Sequence, residues 1–166
     1  MASFTVKGPF EVPVKKGKSG RVVTSDESIK FWDDHSSVAT GVGCYVFALR
    51  AGRGSKPVYV GKATKSFKQE VFTDHKKNKY NEALADQGKG TPLLYFVMLD
   101  KKAGPVNKTA IDEAESYLIQ SGLAANKNLL NDKKTAVEKW KIKGVVRSGQ
   151  GDSTNAAKEL KQCFGL

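Results

Sequence analysis

The stretch GCYVFALRAGRGSKPVYVG, residues 43–61, decides the fold. Its first part, Cys44 to Leu49, is apolar at successive positions, and its last part, Pro57 to Gly61, is rich in β-branched and aromatic residues. Runs of this kind favour buried β-strands. Because the glycines and the serine of segment 51–55 are typical of a turn, the stretch predicts a β-hairpin at the centre of a sheet.

The sequence on either side predicts a small, mainly antiparallel sheet flanked by helices, which is an α/β fold of the α+β type. Strands are recognised by β-branched residues between turn signals, and helices by apolar residues three and four positions apart. Thr24 and Glu27 form a capping box, which predicts the start of a short helix. The other predicted elements are an N-terminal hairpin with strands at 10–14 and 21–23, helices at 66–80 and 108–121, a strand at 92–99, and helical additions at 135–140 and 155–163.

Length and composition narrow the class of protein. The 166 residues predict a single domain, 1–166, and 39% hydrophobic residues are enough for a core. Cys44 and Cys163 have neither metal-ligand spacing nor the pattern of a disulfide framework. This predicts a reducing, intracellular location, cytoplasmic or nucleoid-associated. The sequence has no basic, apolar leader and no apolar run of about 18 residues, so we expect no membrane partner. Phosphate-loop, nucleophile-elbow and HExxH motifs are missing from the sequence as well.

The chain carries a formal charge of +11, from 28 Lys and Arg against 17 Asp and Glu. A field of this sign attracts polyanions, and nucleic acid is the commonest such partner. Most of these cations are lysines, which contact phosphates as point charges and do not read bases by bidentate hydrogen bonds. We therefore expect a nucleic-acid partner that is held through its backbone.

Glu115 interrupts the apolar stripe of the helix predicted over 108–121. It lies four residues after Ile111 and four before Ile119, so the three side chains share a face. An ionised carboxylate in a core costs several kcal/mol unless it is paired. Two interpretations follow: Glu115 pairs with a lysine at the edge of the stripe, or it points into a cleft and binds a cation there.

The two hairpin tripeptides and the glutamate-bearing helix resemble the GIY-YIG nuclease superfamily, which includes the amino-terminal domain of excinuclease C and several homing and restriction endonucleases. Gly43-Cys44-Tyr45 is similar to the first signature of the family, and Tyr59-Val60-Gly61 is similar to the second. The resemblance defines a core, 42–131, an N-terminal extension, 1–41, and a basic C-terminal extension, 132–166. Either extension is a candidate site for a protein partner.

The resemblance implies a metal-dependent endonuclease that hydrolyses phosphodiester bonds of nucleic acid, with DNA favoured over RNA. It implies that Tyr45 activates or orients the attacking water and that Tyr59 supports it. It also implies that Glu115 holds a single magnesium or manganese ion, Mg²⁺ or Mn²⁺. One carboxylate, phosphate oxygens and water molecules suit Mg²⁺, which keeps much of its hydration.

The sequence departs from the family on the helix after the second motif, where Glu70 stands at the position of an arginine that contacts the scissile phosphate. A carboxylate at that position repels the phosphate that the arginine would stabilise. On a continuous helix over 66–80, Lys68 and His75 share one face. We hypothesise that they supply the replacement cation and the acid–base group.

Further residues are predicted to contact nucleic acid around this site. The family asparagine that shapes the site is matched by Asn128, with Asn126 and Asn131 as alternatives. The predicted phosphate contacts are Lys62, Lys65, Lys76, Lys77, Lys133 and Lys134.

Three functions fit these residues. The first is the metal-dependent endonuclease, with Tyr45, Tyr59, Lys68, His75 and Glu115 in the catalytic site. The second is a catalytically weakened or inactive nucleic-acid-binding module of the same fold. The third is a protein-interaction module. Metal-dependent cleavage separates the first from the others, and salt-sensitive binding separates the second from the third.

Overall fold

The structure, a computed structural model, describes residues 2–18, 20–52, 54–87, 89–100, 104–136, 142–145 and 154–165. In chain order the elements are β1 (Phe4–Glu11), β2 (Lys15–Gly17), β3 (Gly20–Val22), α1 (Ser25–Asp34), α2 (Ser36–Ala39), β4 (Gly43–Ala51), β5 (Gly54–Ala63), α3 (Phe67–Glu70), α4 (Asp74–Gln87), β6 (Thr91–Leu99), α5 (Lys108–Ala125) and α6 (Asn155–Phe164). An antiparallel sheet has the order β1-β6-β4-β5, and β2 pairs with β3 separately. The predicted α+β class, an antiparallel sheet flanked by helices, is confirmed.

The central hairpin is confirmed, and its register fixes which side chains share a face of the sheet. Tyr45 pairs with Gly61 of β5 on one side and with Phe96 of β6 on the other. The preceding residue, Cys44, pairs with Lys62. Because neighbouring residues of a strand point to opposite faces, Tyr45 and Lys62 lie on opposite faces of the sheet.

Each face of the sheet carries its own hydrophobic core. Helices α1 to α4 cover the Tyr45 face, where the ring of Phe47 stacks on the ring of Tyr80 at a centroid distance of 4.1 Å. Helix α5 covers the other face, where Ile119 packs with Val60 and Leu129. Burial of each such side chain contributes on the order of 1.5–3 kcal/mol, so both faces of the sheet are stabilised.

The N-terminal hairpin is present but shorter than predicted, because it consists of β2 and β3 alone. Phe10 and Glu11, which were assigned to its first strand, belong to β1 and pair with β6. The Phe10 ring packs against Phe31 of α1 and Phe96 of β6 at centroid distances of 6.5 and 5.8 Å. This burial in the main core holds residue 10 on the sheet, and β1 extends the sheet as an edge strand.

The capping box at the start of α1 is confirmed. The backbone N–H of Thr24 donates to the Glu27 carboxylate at 3.3 Å, and the Thr24 hydroxyl donates to the same carboxylate. The hydroxyl and backbone hydrogen bonds of Thr24 lower the pKa of Glu27, although its burial opposes them. The carboxylate therefore stays ionised in spite of its burial.

The prediction of one helix over 66–80 is wrong, because these residues form α3 and α4 with a break at 71–73. At the break Phe72 turns into the core, where its ring lies 5.2 Å from that of Phe31. The Tyr80 hydroxyl donates to the carbonyl of Val71 at 2.8 Å and fixes the connection. Thr73, of a residue type that favours helix N-termini, directly precedes α4.

The last predicted helix of the core continues past its expected end. Helix α5 runs through Gly122 to Ala125. Gly122 is buried, and a β-carbon there would lie 3.2 Å from Cδ2 of Leu129. The glycine therefore serves close packing within the second core and does not end the helix.

The described residues group into two compact units, 1–135 and 136–166. In the second unit, α6 is confirmed, and the Thr154 side chain caps it by accepting the N–H of Ala157 at 3.2 Å. The helix predicted over 135–140 lies almost wholly outside the described residues. The single domain over 1–166 stays a prediction. None of the helices in the described part of the chain has the length and apolar sequence that a membrane span needs.

Candidate nucleic-acid interface

Tyr45, the tyrosine of the first signature, is completely buried on the α1–α4 face. Its ring lies across Gly61, so that a β-carbon at residue 61 would be under 3.0 Å from Cζ, Oη and Cε1 of the tyrosine. Gly61 is thus required for its lack of a side chain. The glycine of one signature and the tyrosine of the other are matched to each other by packing.

The Tyr45 hydroxyl is a buried polar group with no hydrogen-bond partner in the described structure. The neighbouring Tyr80 hydroxyl donates its proton to the carbonyl of Val71. Burial raises the pKa of Tyr45, and the negative charges of Glu70 and Glu115 add to the rise. At neutral pH Tyr45 is therefore a neutral phenol.

We predict that Tyr45→Phe leaves stability unchanged or raises it by about 1 kcal/mol, because the change removes a buried hydroxyl that makes no hydrogen bond. Tyr80→Phe is the matched control, since it removes a hydroxyl that does bond. It should lower the free energy of unfolding by about 1 kcal/mol. Urea unfolding of both variants measures the difference, and a Tyr45→Phe protein as destabilised as Tyr80→Phe would contradict the prediction.

Tyr59, the tyrosine of the second signature, lies 6.4 Å from Tyr45 between ring centroids. Its hydroxyl oxygen accepts a hydrogen bond from the Lys76 ammonium at 2.6 Å, and that ammonium lies 4.9 Å from the centre of the Tyr59 ring. Both partners of Lys76 are uncharged, so its positive charge is held in place without being neutralised. This places one lysine of α4 at the surface of β5.

Lys68 and His75 do not share a helical face, because Lys68 belongs to α3 and His75 to α4. The two side chains are exposed. Lys68 lines a shallow hollow of about 270 Å³ with Trp32 and Lys77. The prediction that Lys68 and His75 lie on one face assumed a continuous helix, and the break at 71–73 makes that assumption wrong.

Glu115 pairs with lysines, which was the first of the two interpretations of its place in the apolar stripe. Its carboxylate accepts a hydrogen bond from the Lys134 ammonium at 2.7 Å, and the Lys62 ammonium lies 3.3 Å away. Asp112, one turn earlier on α5, contacts the same two lysines. The Glu115 side chain is 13% exposed, so this pairing compensates a largely desolvated charge.

Hydrogen bonds within the cluster of Lys62, Asp112, Glu115 and Lys134 shift the pKa values of Asp112 and of the two lysines in the direction that favours their charged forms. Hydrogen bonds from Lys134 and then Lys62 lower the pKa of Asp112 to about 2. Partial burial works against the charge of Lys134, but hydrogen bonds to Asp112 and Glu115 outweigh it and raise its pKa. Beneath the cluster, burial raises the pKa of the Cys44 thiol to about 12, so the thiol stays protonated.

These contacts test whether the residues fit the divalent cation that the resemblance implies. A metal ion at Glu115 would lie beside two ammonium groups that already hydrogen-bond its carboxylate and that of Asp112. Like charges at this separation repel strongly in a partly desolvated site. No group of three or more His, Cys, Asp or Glu with metal-binding geometry occurs within the described ranges. The residues present do not fit the metal.

The three asparagines of segment 126–131 divide between structure and surface. Asn131 donates to the carbonyl of Val60 at 2.7 Å and accepts its N–H at 2.9 Å, and Asn126 donates to the carbonyl of Pro57 at 2.7 Å. These bonds cover the outer edge of β5, which would otherwise present unpaired backbone groups. The Asn128 side chain is exposed and outside this pairing.

We predict that Asn131→Ala lowers the free energy of unfolding by about 2 kcal/mol, since two hydrogen bonds to the edge of β5 are lost. Asn128→Ala, three residues earlier, should change it by less than about 0.5 kcal/mol. Thermal melts followed by circular dichroism compare the two. Equal effects of the two substitutions would show that Asn131 does not hold the edge.

Five lysines from three parts of the chain lie on β5 or near it, and we call them the β5-edge lysine cluster. Lys79 of α4 pairs with Asp132 at 3.0 Å, which brings segment 131–134 against α4. Among its members Lys76 and Lys133 have no carboxylate partner in the described part of the chain. The cluster consists of Lys62, Lys76, Lys79, Lys133 and Lys134.

Of the other predicted contacts, Lys65 is exposed just before α3, and Lys77 pairs with Asp74 at 3.1 Å and with the Ser25 hydroxyl at 3.0 Å. Sequence reasoning missed Asp112, and it did not predict that Lys79 pairs with Asp132. A charged residue three positions before Glu115 on the same helix was the available signal for Asp112.

Comparisons of the chain with family models, with curated proteins and with solved structures find no match.

Proposed function

We propose that this chain is a nucleic-acid-binding module that holds the phosphate backbone along the outer edge of β5 and does not need a divalent metal to do so. The proposal corresponds to the second of the three functions that the sequence supports. Its ligand is the sugar–phosphate backbone, with DNA favoured over RNA, and contacts of this kind carry no base preference.

The observation that supports binding most strongly is the β5-edge lysine cluster. Lysines distant in sequence border this edge strand, with Lys76 on the α1–α4 face and Lys62 and Lys134 on the α5 face. The carboxylates that pair with members of the cluster are Asp112, Glu115 and Asp132. Lys76 is the member best suited to a phosphate, because it is positioned by the Tyr59 hydroxyl and has no carboxylate partner among the described residues. A positioned, uncompensated ammonium contributes to affinity by displacing counterions from nucleic acid.

Three features of the signature residues support binding without cleavage. Glu70 brings negative charge where the family has an arginine, and it is near enough to Tyr45 to raise the pKa of that phenol. Tyr45 is fully buried, out of contact with any attacking water. Glu115 is engaged by Lys62 and Lys134.

The metal-dependent endonuclease that the resemblance implies is the second candidate. It is favoured by the approach of Tyr45 and Tyr59 across the central hairpin, with the Lys76 ammonium on the Tyr59 hydroxyl. In this candidate the tyrosines would open to solvent on binding nucleic acid.

The test is binding of labelled duplex DNA, and of duplex RNA of the same sequence, in the presence of EDTA. We expect fluorescence anisotropy to give affinities that fall as salt is raised between about 50 and 200 mM. The double variant Lys76→Ala, Lys133→Ala should bind about tenfold more weakly, with a salt slope smaller by about 2.

The matched control removes two exposed lysines elsewhere, by Lys7→Ala in β1 and Lys16→Ala in β2. Its loss of charge is the same, but β1 is the opposite edge of the sheet. We expect it to bind within about twofold of wild type, because general electrostatic attraction is the only part it loses. Equal losses in the two variants would refute the β5 edge as the binding surface, and no binding by wild type would refute the function.

A further inference from the structure

Two carboxylates of α5 converge on one point beside β5. Asp112 and Glu115 are three residues apart and therefore lie on one face of the helix. Both reach the same ammonium groups: Lys134 lies 2.8 Å from Asp112 and 2.7 Å from Glu115, and Lys62 contacts both. A pair of converging carboxylate oxygens is the donor set that hard divalent cations favour.

The ammonium groups stand where such a cation would bind. The Lys134 ammonium contacts a third oxygen, because it also donates to the backbone carbonyl of Asp112 at 3.2 Å. Its charge is therefore surrounded by carboxylate and carbonyl oxygens, in the way that a bound metal ion would be. Lys62 reaches the same carboxylates from β5.

The backbone of Lys134 gives independent evidence that these contacts hold it in place. Its φ is 61°, and among the described residues it is the non-glycine residue with a positive φ. This conformation is disfavoured for a residue with a side chain. The Gln120 amide donates to the Lys134 carbonyl at 2.5 Å, so the residue is fixed to α5 through its backbone as well as its ammonium.

We propose that Lys62 and Lys134 occupy a divalent-cation position between Asp112 and Glu115, and that their charges exclude Mg²⁺ and Mn²⁺ from it. The site is a built-in replacement of a metal ion by two side chains of the same chain. The inference goes beyond the proposed function, because it concerns the cation and is tested without nucleic acid.

The experiment measures binding of Mn²⁺ alone to the full chain, from the loss of the electron paramagnetic resonance signal of the free ion. Wild type is compared with Lys134→Met and with the double variant Lys62→Met, Lys134→Met, which keep the apolar stems and remove the charges. Each protein is also made with Glu115→Gln, so that only Glu115-dependent binding is counted. We expect such binding in the lysine variants at Mn²⁺ concentrations at which wild type shows none, because a nearby like charge has been removed.

The effect of Mn²⁺ on thermal stability supplies a second readout. Mn²⁺ should raise the midpoint of thermal unfolding of the lysine variants and leave that of wild type unchanged. If the double variant does not fold, Mn²⁺ binding to the single variant Lys134→Met is the test of the proposal. Glu115-dependent binding in wild type would overturn the proposal, and so would its absence from every lysine variant that folds.

Discussion

Gly61→Ala is expected to be strongly destabilising, lowering the free energy of unfolding by about 3 kcal/mol. A β-carbon at residue 61 would lie under 3.0 Å from three atoms of the Tyr45 ring. The ring has little freedom to move, because Tyr45 is fully buried between Tyr59 and Phe96. Relief of the clash therefore requires the β4–β5 pairing itself to shift. Urea unfolding followed by tryptophan fluorescence measures the loss.

Gly54→Ala is the matched control on the same strand. A β-carbon at Gly54 meets nothing within 4 Å, so alanine there should change stability by less than about 0.5 kcal/mol. A Gly61→Ala protein as stable as Gly54→Ala would show that the Tyr45 ring does not lie across β5. The placement of both signature motifs would then be wrong.

Glu115→Gln is expected to lower the free energy of unfolding by about 2 kcal/mol and to leave nucleic-acid affinity equal to or above that of wild type. The stability loss arises because Lys62 and Lys134 lose a largely buried counter-charge; it is smaller than for a fully buried pair, since Asp112 and solvent still reach both lysines. Affinity is retained because the change removes a negative charge from the binding surface. Thermal melts and anisotropy titrations measure the two effects.

Glu113→Gln, at an exposed position on the same helix, controls for the loss of one carboxylate. It should change stability by less than about 0.5 kcal/mol. A Glu115→Gln protein that is fully stable would contradict the ion cluster. If Glu115→Gln loses nucleic-acid binding at a temperature at which it is still folded, Glu115 belongs to the binding site instead.

The same cluster sets a pH window for its contribution to stability. The pKa of Asp112 is lowered from its usual 3.8 to about 2, so its contribution is fully present above pH 3.8 and is lost as the pH falls toward 2. The pKa values of Lys62 and Lys134 are raised above the usual 10.5, so their contribution is present below that pH and lost above it. Asp112, Lys62 and Lys134 are therefore ionised throughout the neutral range.

The inner strands of the sheet could be predicted because their sequences are continuous runs of apolar residues, which are typical of buried strands. Consecutive apolar residues at 44–49 and 92–99 need burial on both faces. The turn residues of segment 51–55 predict the hairpin that joins β4 to β5. The outer strand β1 was not predicted, because most of its side chains are exposed and Gly8 and Pro9 interrupt it. Its place on the sheet depends on the burial of Phe10 against α1, which lies far along the chain.

The break between α3 and α4 shows where periodicity misleads. Phe67, Val71 and Phe72 recur at helical spacing, yet Phe72 reaches the core through a turn and not along a helix. The packing of distant aromatic side chains decides between these two solutions, and local spacing does not encode it. Thr73 was the local sign of a new helix start.

The sequence showed that Glu115 needs a partner but not which one. Its spacing in the apolar stripe was enough to mark a desolvated carboxylate. Lys134 lies 19 residues away, beyond the end of α5, and reaches Glu115 only because segment 131–134 folds back along β5. Contacts of that range follow from the tertiary fold, so spacing alone could not separate a lysine from a metal ion.

The most direct test of the central claim, binding without metal-dependent cleavage, is one gel assay that reads both. Labelled duplex, branched and single-stranded oligonucleotides are incubated with wild type or Glu115→Ala in Mg²⁺, Mn²⁺ or EDTA, and each sample is run on native and denaturing gels. We predict the same mobility shift in all three conditions, with intact strands for both proteins. Cleavage that requires the metal and is lost in Glu115→Ala would contradict this account and identify an active nuclease.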